Sequence, residues 1–221
     1  MTAVMTSTER AKFDVSGMYA AHDGFRHDLE RLARAAEGGP EAFESVHAGW
    51  ENFKTQLDIH HRAEDKDLWP LLRKKVTRSP EHVRLLEEME LEHARIDPLV
   101  ANIDATARAK GPGLRALMSD LAEALSEHLS HEEREALPLI QATLSAAEWQ
   151  AFTTAIRRTQ GIKGAATYLP WMLDGDPSDA QRRFLNGIPA PVRLVNRLVW
   201  QPRYRRRGIW PKEHQRGHNL G

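Results

Sequence analysis

The chain has 221 residues, 28% charged and 41% hydrophobic, with a formal net charge of zero and no cysteine. That length can bury a core without staples, and the lack of cysteine excludes disulfides and thiolate metal sites and suits a reducing compartment. No run approaches the ~18 apolar residues of a membrane-spanning helix, and the opening "MTAVMTSTERAKF" lacks the apolar stretch of a signal peptide, so a cytoplasmic location is expected.

Helical signals dominate residues 14 to 160. The first predicted helix runs from about Asp14 to Glu37, where "EGGP" stops it and offers Pro40 as the first turn of the next. The second runs from Pro40 to about Val76. "TRSPEH" then supplies a Ser cap and a Pro for a third helix, which reaches about Lys110. "GPG" precedes a fourth, ending near Thr143. "SAAE" at 145–148 is a capping box that opens a shorter fifth helix ending at Gly161.

Each long helix carries one stripe at intervals of three and four. The first has Val15, Met18, His22, Phe25, Leu29 and Leu32. The second has Phe53, Leu57, His60, Glu64, Leu68 and Leu71. The third has Leu86, Met89, His93, Ile96, Val100 and Ile103. The fourth has Leu117, Leu121, Leu125, His128, Glu132, Ala136 and Leu139. Four amphipathic helices with short connections predict an all-α, up-down-up-down four-helix bundle over residues 1–160, with the fifth helix added. On every stripe a histidine interrupts the apolar series, and on the second and fourth a glutamate follows four residues later. These side chains are expected to face inward.

The second and fourth helices repeat one another. "HHRAEDKDLWPLL" (60–72) aligns with "HLSHEEREALPLI" (128–140) at an offset of 68 residues. His60 matches His128, Glu64 matches Glu132, Asp65 matches Glu133, and Pro70 matches Pro138. His22 and His93 lie 71 apart. Two hairpins related by a pseudo-twofold axis would bring six of these side chains to one level. A buried carboxylate is costly unless paired or bound to metal, and neutral imidazoles neutralise nothing. Imidazole with carboxylate suits iron, manganese or zinc. Six protein ligands leave positions open on two octahedral ions, which describes a reactive site.

Two rival motifs fail. "HEERE" at 131–135 has Glu135 where a zinc protease has its second His. The ferritin-like pattern has Glu-x-x-His, whereas here His comes first at a spacing of four. The ordered layout H, HxxxE, H, HxxxE resembles the hemerythrin-like (HHE) domain family over roughly residues 14–145. The matching residues are His22, His60, Glu64, His93, His128 and Glu132. The resemblance implies two non-haem iron ions, oxo- or hydroxo-bridged, between the helices, with bridging carboxylates; the residue types alone also admit manganese or zinc. The ligand implied is a small oxidant: oxygen, hydrogen peroxide or nitric oxide.

The oxygen carriers of that family read H-HxxxE-HxxxH-HxxxxD. Here Asp97 stands where the second His of the third helix is expected, and Glu133 holds the carrier-type acid register. One imidazole is missing from the pattern, with Asp97, His61, His131 and Tyr19 as candidate substitutes. A set poorer in imidazole argues against reversible oxygen carriage. It favours peroxide disproportionation, nitric oxide binding or iron handling. The second reading is an iron or redox sensor whose tail signals to a partner. His61, Asp65 and His131 sit one step round their helices and are expected at the surface or as partners of the ligands. His27, His47 and His82 are expected to face solvent. Pro70 and Pro138 are expected to kink or end their helices.

Residues 161–221 hold 11 Lys+Arg against 4 Asp+Glu, while residues 1–160 hold 20 against 27. This Pro-, Arg- and Trp-rich extension is expected to be partly irregular. A short amphipathic helix is predicted with Val192, Val195, Leu198 and Val199 on one side. Three dockings suit such a tail: onto the acidic bundle, onto a second subunit in a homo-oligomer, or onto an anionic membrane surface. Nucleic acid is not expected, since no recognised module accompanies the arginines.

Overall fold

The computed structural model describes residues 13–175 and 177–211. The opening stretch read for a signal peptide, Phe13 excepted, and the terminal His214 and His218 lie outside the described residues. Within them the chain is helical throughout its regular elements, and no helix is long and apolar enough to cross a membrane.

Helix α1 (Ser16–Glu37) presents the expected stripe, and Phe25, Leu29 and Leu32 are fully buried on it. The expected second helix is divided. Helix α2 (Pro40–Ser45) stops at Val46, whose side chain is buried and whose backbone leaves helical values (φ −106°, ψ 14°). Helix α3 (His47–Ala63) then runs into a π-helical turn, π1 (Glu64–Leu68), and helix α4 (Trp69–Lys75). Helix α5 (Pro80–Arg108) forms the third arm. The fourth is α6 (Leu114–His131), a second π turn π2 (Glu132–Ala136), and α7 (Leu137–Thr143). Helix α1 packs on α3 and α6, α5 on α6, and α4 on both α5 and α7.

Neither Pro70 nor Pro138 ends its helix. Each is the second residue after a π turn, in which the N–H of Trp69 or Leu137 donates to the carbonyl five residues back, on Glu64 or Glu132. A proline ring would strike the carbonyl four residues before it and has no N–H to offer. Widening the preceding turn relieves that clash, and the helix continues. A third π turn, π3 (Asn196–Trp200), precedes Pro202 in the same way. The extra residue also shifts the stripe: after Glu64 and Leu68 the buried leucine is Leu72, and Leu71 is only half-buried.

Helix α8 (Ala146–Met172) opens on the capping box of Ser145 and Glu148 and breaks at Gly161 (φ 60°, ψ −172°), where the fifth helix was expected to end. A further helical segment follows that break. Beyond it come α9 (Asp179–Gly187), α10 (Ala190–Val195), π3 and α11 (Gln201–Arg206), so the described part of the extension is more helical than its composition suggests. A second capping box, Ser178 with Gln181, starts α9. The extension joins the main core through Trp171, Met172, Tyr204, Ile209 and Trp210. An ion pair of Arg31 with Asp174 adds to it at 2.9 Å. Three of these five side chains are aromatic, and this ion pair has the basic group on the bundle side.

Candidate metal centre

The π turns sit at the ends of α3 and α6, one turn after His60 and His128. Glu64 and Glu132 are their first residues and are buried, as are His22, His93 and His128. His60 keeps 9% of its side chain exposed.

The two halves of the repeat exchange partners. His22, from the first hairpin, has Nε2 3.0 Å from Glu132 Oε2 and Nδ1 2.8 Å from Glu133 Oε1, both in the second. His93, from the second hairpin, has Nε2 3.6 Å from Glu64 Oε2 and Nδ1 2.8 Å from Asp65 Oδ1, both in the first. The matched acids of the repeat thus hold the matched histidines crosswise. Glu64 also reaches His60, whose Nε2 lies 3.2 Å from Oε1, so its two oxygens face different histidines.

A carboxylate beside Nδ1 fixes the imidazole proton there and turns the Nε2 lone pair inward. Glu92 does this for His128 at 2.8 Å, and its other oxygen meets His131 Nδ1 at 2.8 Å. With Nδ1 of His93 and of His128 so committed, the 3.1 Å approach of their Nε2 atoms joins two lone pairs rather than a donor and an acceptor. Two lone pairs held that close repel one another unless a cation lies between them, and both histidines belong to one donor group.

Of the alternatives for the missing imidazole, His61 is the one that lies in the buried cluster. It is buried, stacks on His93 with centroids 3.9 Å apart and planes 11° apart, and groups with His93 and His128 as donors to one point. Of its two expected placements, at the surface or beside the ligands, it takes the second. Asp97 is exposed and outside the cluster. Tyr19 is half-buried and its hydroxyl donates to the Glu133 carbonyl at 3.4 Å. His131 stays at the rim with Glu92. Asp65, although 43% exposed, holds His93. His47 is exposed, whereas His27 and His82 are half-buried.

Three donor groups result: His22, His60 and Glu132; Glu64, His128 and Glu132; and His61, His93 and His128. Within each, the donor atoms lie within 4.8 Å of one another. Nε2 of His22, His60 and His61 and all four oxygens of Glu64 and Glu132 are buried without an aligned hydrogen bond. Burial holds the His60 pKa down, to about 3, and keeps His61 well below its usual range, so both are neutral donors. Burial and then the Glu132 charge drive Glu64 well above the carboxylate range. On His22 burial opposes charge, but Glu132 and Glu133 outweigh it and lift the pKa to about 9. Each orphaned buried polar atom costs about 1–3 kcal/mol, and each of the five residues that carry them belongs to one of the three donor groups. The donors present fit a multivalent cation.

Glu92 escaped sequence reasoning and His61 was one of four candidates there, and the repeat explains why. The position matching His61 is Leu129, and the one matching Glu92 is Ala21, so neither stands out by internal comparison.

Residues 14–140 match the family model of the hemerythrin HHE cation binding domain. Comparison with curated proteins gave no match, and neither did comparison with solved structures.

Proposed function

Because the chain belongs to the hemerythrin HHE cation-binding domain family, we propose that it is a non-haem di-iron protein that binds or reacts with a small oxidant such as oxygen, hydrogen peroxide or nitric oxide. In this reading the four arms form an up-down-up-down bundle. His22 and His60 would hold one ion, and His61, His93 and His128 would hold the other. Glu64 and Glu132 would supply the carboxylates. The observation that carries this is that outer carboxylates fix three imidazoles with their Nε2 atoms inward, two of them, on His22 and His93, crosswise between the halves of the repeat. When bound, two irons supply adjacent redox-active Lewis-acid positions for a small ligand.

The protein's own contribution is binding, orientation and exclusion of water. Five imidazoles and two carboxylates make the set as rich in nitrogen as that of the carrier pattern. Counting His61 therefore removes the objection to reversible oxygen binding that its omission raised. Phe25, with its ring 5.3 Å from that of His60, covers one side. Gln56, one turn before His60, lines a cavity of about 300 Å³ between α3 and α8, together with Asn52, Ile59 and Gln160.

The test is metal content and the optical spectrum of the purified protein, before and after adding oxygen, nitric oxide or peroxide. About two irons per chain with a near-ultraviolet band are expected, because imidazole and carboxylate donors suit such ions. Evolution of oxygen from peroxide would make the reaction disproportionation to water and oxygen. Iron-free protein, or iron content unchanged by His60→Ala, sinks the reading.

A sensor is the second reading, supported by a chain of ring contacts. His60 meets Phe25, and Phe25 meets Trp171 of α8 with centroids 5.0 Å apart. Metal binding at His60 would then bear on the extension through two packed rings. Limited proteolysis of the extension with and without iron distinguishes this, since a pure oxidant binder gives one cleavage pattern.

A further inference from the structure

The segment 190–206, comprising α10, π3 and α11, lies against the rest of the protein along a narrow line. Asn196 and Tyr204 are buried there, and Trp200 is half-buried between them at the same spacing of four. The remainder of the segment is largely open. Val192, Leu194, Val195, Leu198 and Val199 are all exposed, between 36% and 63%. Among the described residues only Leu91 and Ile162 share that status as large exposed hydrophobic side chains. The amphipathic helix expected from sequence therefore forms with its apolar side turned outward.

Charge says what that side suits. Residues 180–211 contain eight arginines and no acidic residue. Arg193, Arg197, Arg203, Arg205, Arg206 and Arg207 are exposed within the same segment or just beyond it. Exposed apolar patches rimmed by charge mark interaction sites. Aliphatic side chains between arginines suit the boundary between acyl chains and anionic headgroups. No described helix can cross a bilayer, so such contact lies in the plane of the surface.

We propose that segment 190–206 seats the protein on an anionic membrane surface, with Leu194 and Leu198 entering the acyl boundary and the arginines meeting lipid phosphates. The acidic body, −7 over residues 1–160 by charge count, faces away from the membrane. This proposal is independent of the metal reading.

The experiment is flotation of the full chain with vesicles of pure phosphatidylcholine and of phosphatidylcholine with about one third phosphatidylglycerol. Binding to the anionic vesicles, weakened by salt, is expected. Leu194→Asp with Leu198→Asp should lower it about tenfold or more, since two charges would then enter the boundary. Arg193→Glu with Arg197→Glu should also lower it. Leu91→Asp, on α5, should not. All of these side chains are exposed, and unchanged circular dichroism will show that the variants fold. Equal binding to neutral vesicles, or none to either kind, overturns the proposal. So does a dimer that Leu194→Asp dissociates with no vesicle binding, because the face would then be a contact between copies of this chain.

Discussion

Asp65 Oδ1 lies 2.8 Å from His93 Nδ1, and Glu133 Oε1 lies 2.8 Å from His22 Nδ1. Each bond runs from one half of the repeat to the other. If these acids fix the tautomers of two metal-binding imidazoles, removing either weakens metal binding without unfolding the protein. Asp65→Ala and Glu133→Ala are each expected to lower metal affinity about 10- to 100-fold, measured by competition with a chelator. The Glu133 change should be the larger, because that carboxylate also holds Arg26 at 2.8 Å. Affinity equal to the parent protein's in both variants would mean that these acids do not orient the imidazoles for metal.

His61 should behave as a ligand although the repeat does not mark it. His61→Ala is expected to lower the bound metal about as much as His93→Ala does, because both rings point to one position. Asp97→Ala should leave metal content unchanged, since that side chain is exposed away from the cluster. Elemental analysis of the three variants decides. Loss on Asp97→Ala with none on His61→Ala would reverse the assignment.

The sequence makes the inward faces readable because burying a carboxylate or an imidazole is expensive. A polar residue at a core position of an apolar stripe therefore stands out, and one repeated at a fixed offset stands out twice. His22, His60, Glu64, His93, His128 and Glu132 were legible in that way. His61 was not. It lies about 100° round the helix from His60, and what draws it inward is the ring of His93 on another helix. Leu72 replaced Leu71 in the core because a π turn inserts a residue that a period of 3.6 does not count. The mark of that turn was present, though. Glu64 and Pro70, Glu132 and Pro138, and Asn196 and Pro202 are all six residues apart. Nor could the sequence show that the extension docks by its tryptophans, since charge asymmetry alone favoured its arginines.

Stability should fall with rising pH through Asp28. This carboxyl is buried, accepts from Trp171 Nε1 at 2.7 Å and lies 3.5 Å from Arg31, which Asp174 shares. Burial outweighs these donors and lifts its pKa to about 7, against 3.8 ordinarily. Between those values the folded state keeps a proton that the unfolded chain releases. The contribution is therefore fully present below about 4, is lost as pH rises towards about 7, and is flat above. Asp28→Asn keeps an acceptor for Trp171 and removes the titration. Relative to the parent protein, the variant should gain up to about 4 kcal/mol between pH 4 and pH 8, read by urea unfolding at matched metal loading. A difference independent of pH would mean that Arg31 keeps Asp28 ionised throughout.

The seat of the extension on the bundle can be tested at Gly49. A Cβ built there would lie 2.6 Å from two ring atoms of Trp210, and the ring is almost wholly buried with the Arg31 guanidinium 5.1 Å from its centre. Gly49 lies within α3, where alanine is otherwise the better helix former. Any loss must therefore come from displacing the ring. Gly49→Ala is expected to cost about 1–3 kcal/mol as overpacking, seen as a lower Tm and faster protease cleavage of the extension. The cause is isolated by repeating the change in a Trp210→Ala background, where the space is already open. There Gly49→Ala should be neutral or slightly stabilising, giving a coupling energy of about the whole loss. An equal loss in both backgrounds would mean that Trp210 does not rest on Gly49, and the extension would be held by its other contacts, Trp171 and Tyr204 among them.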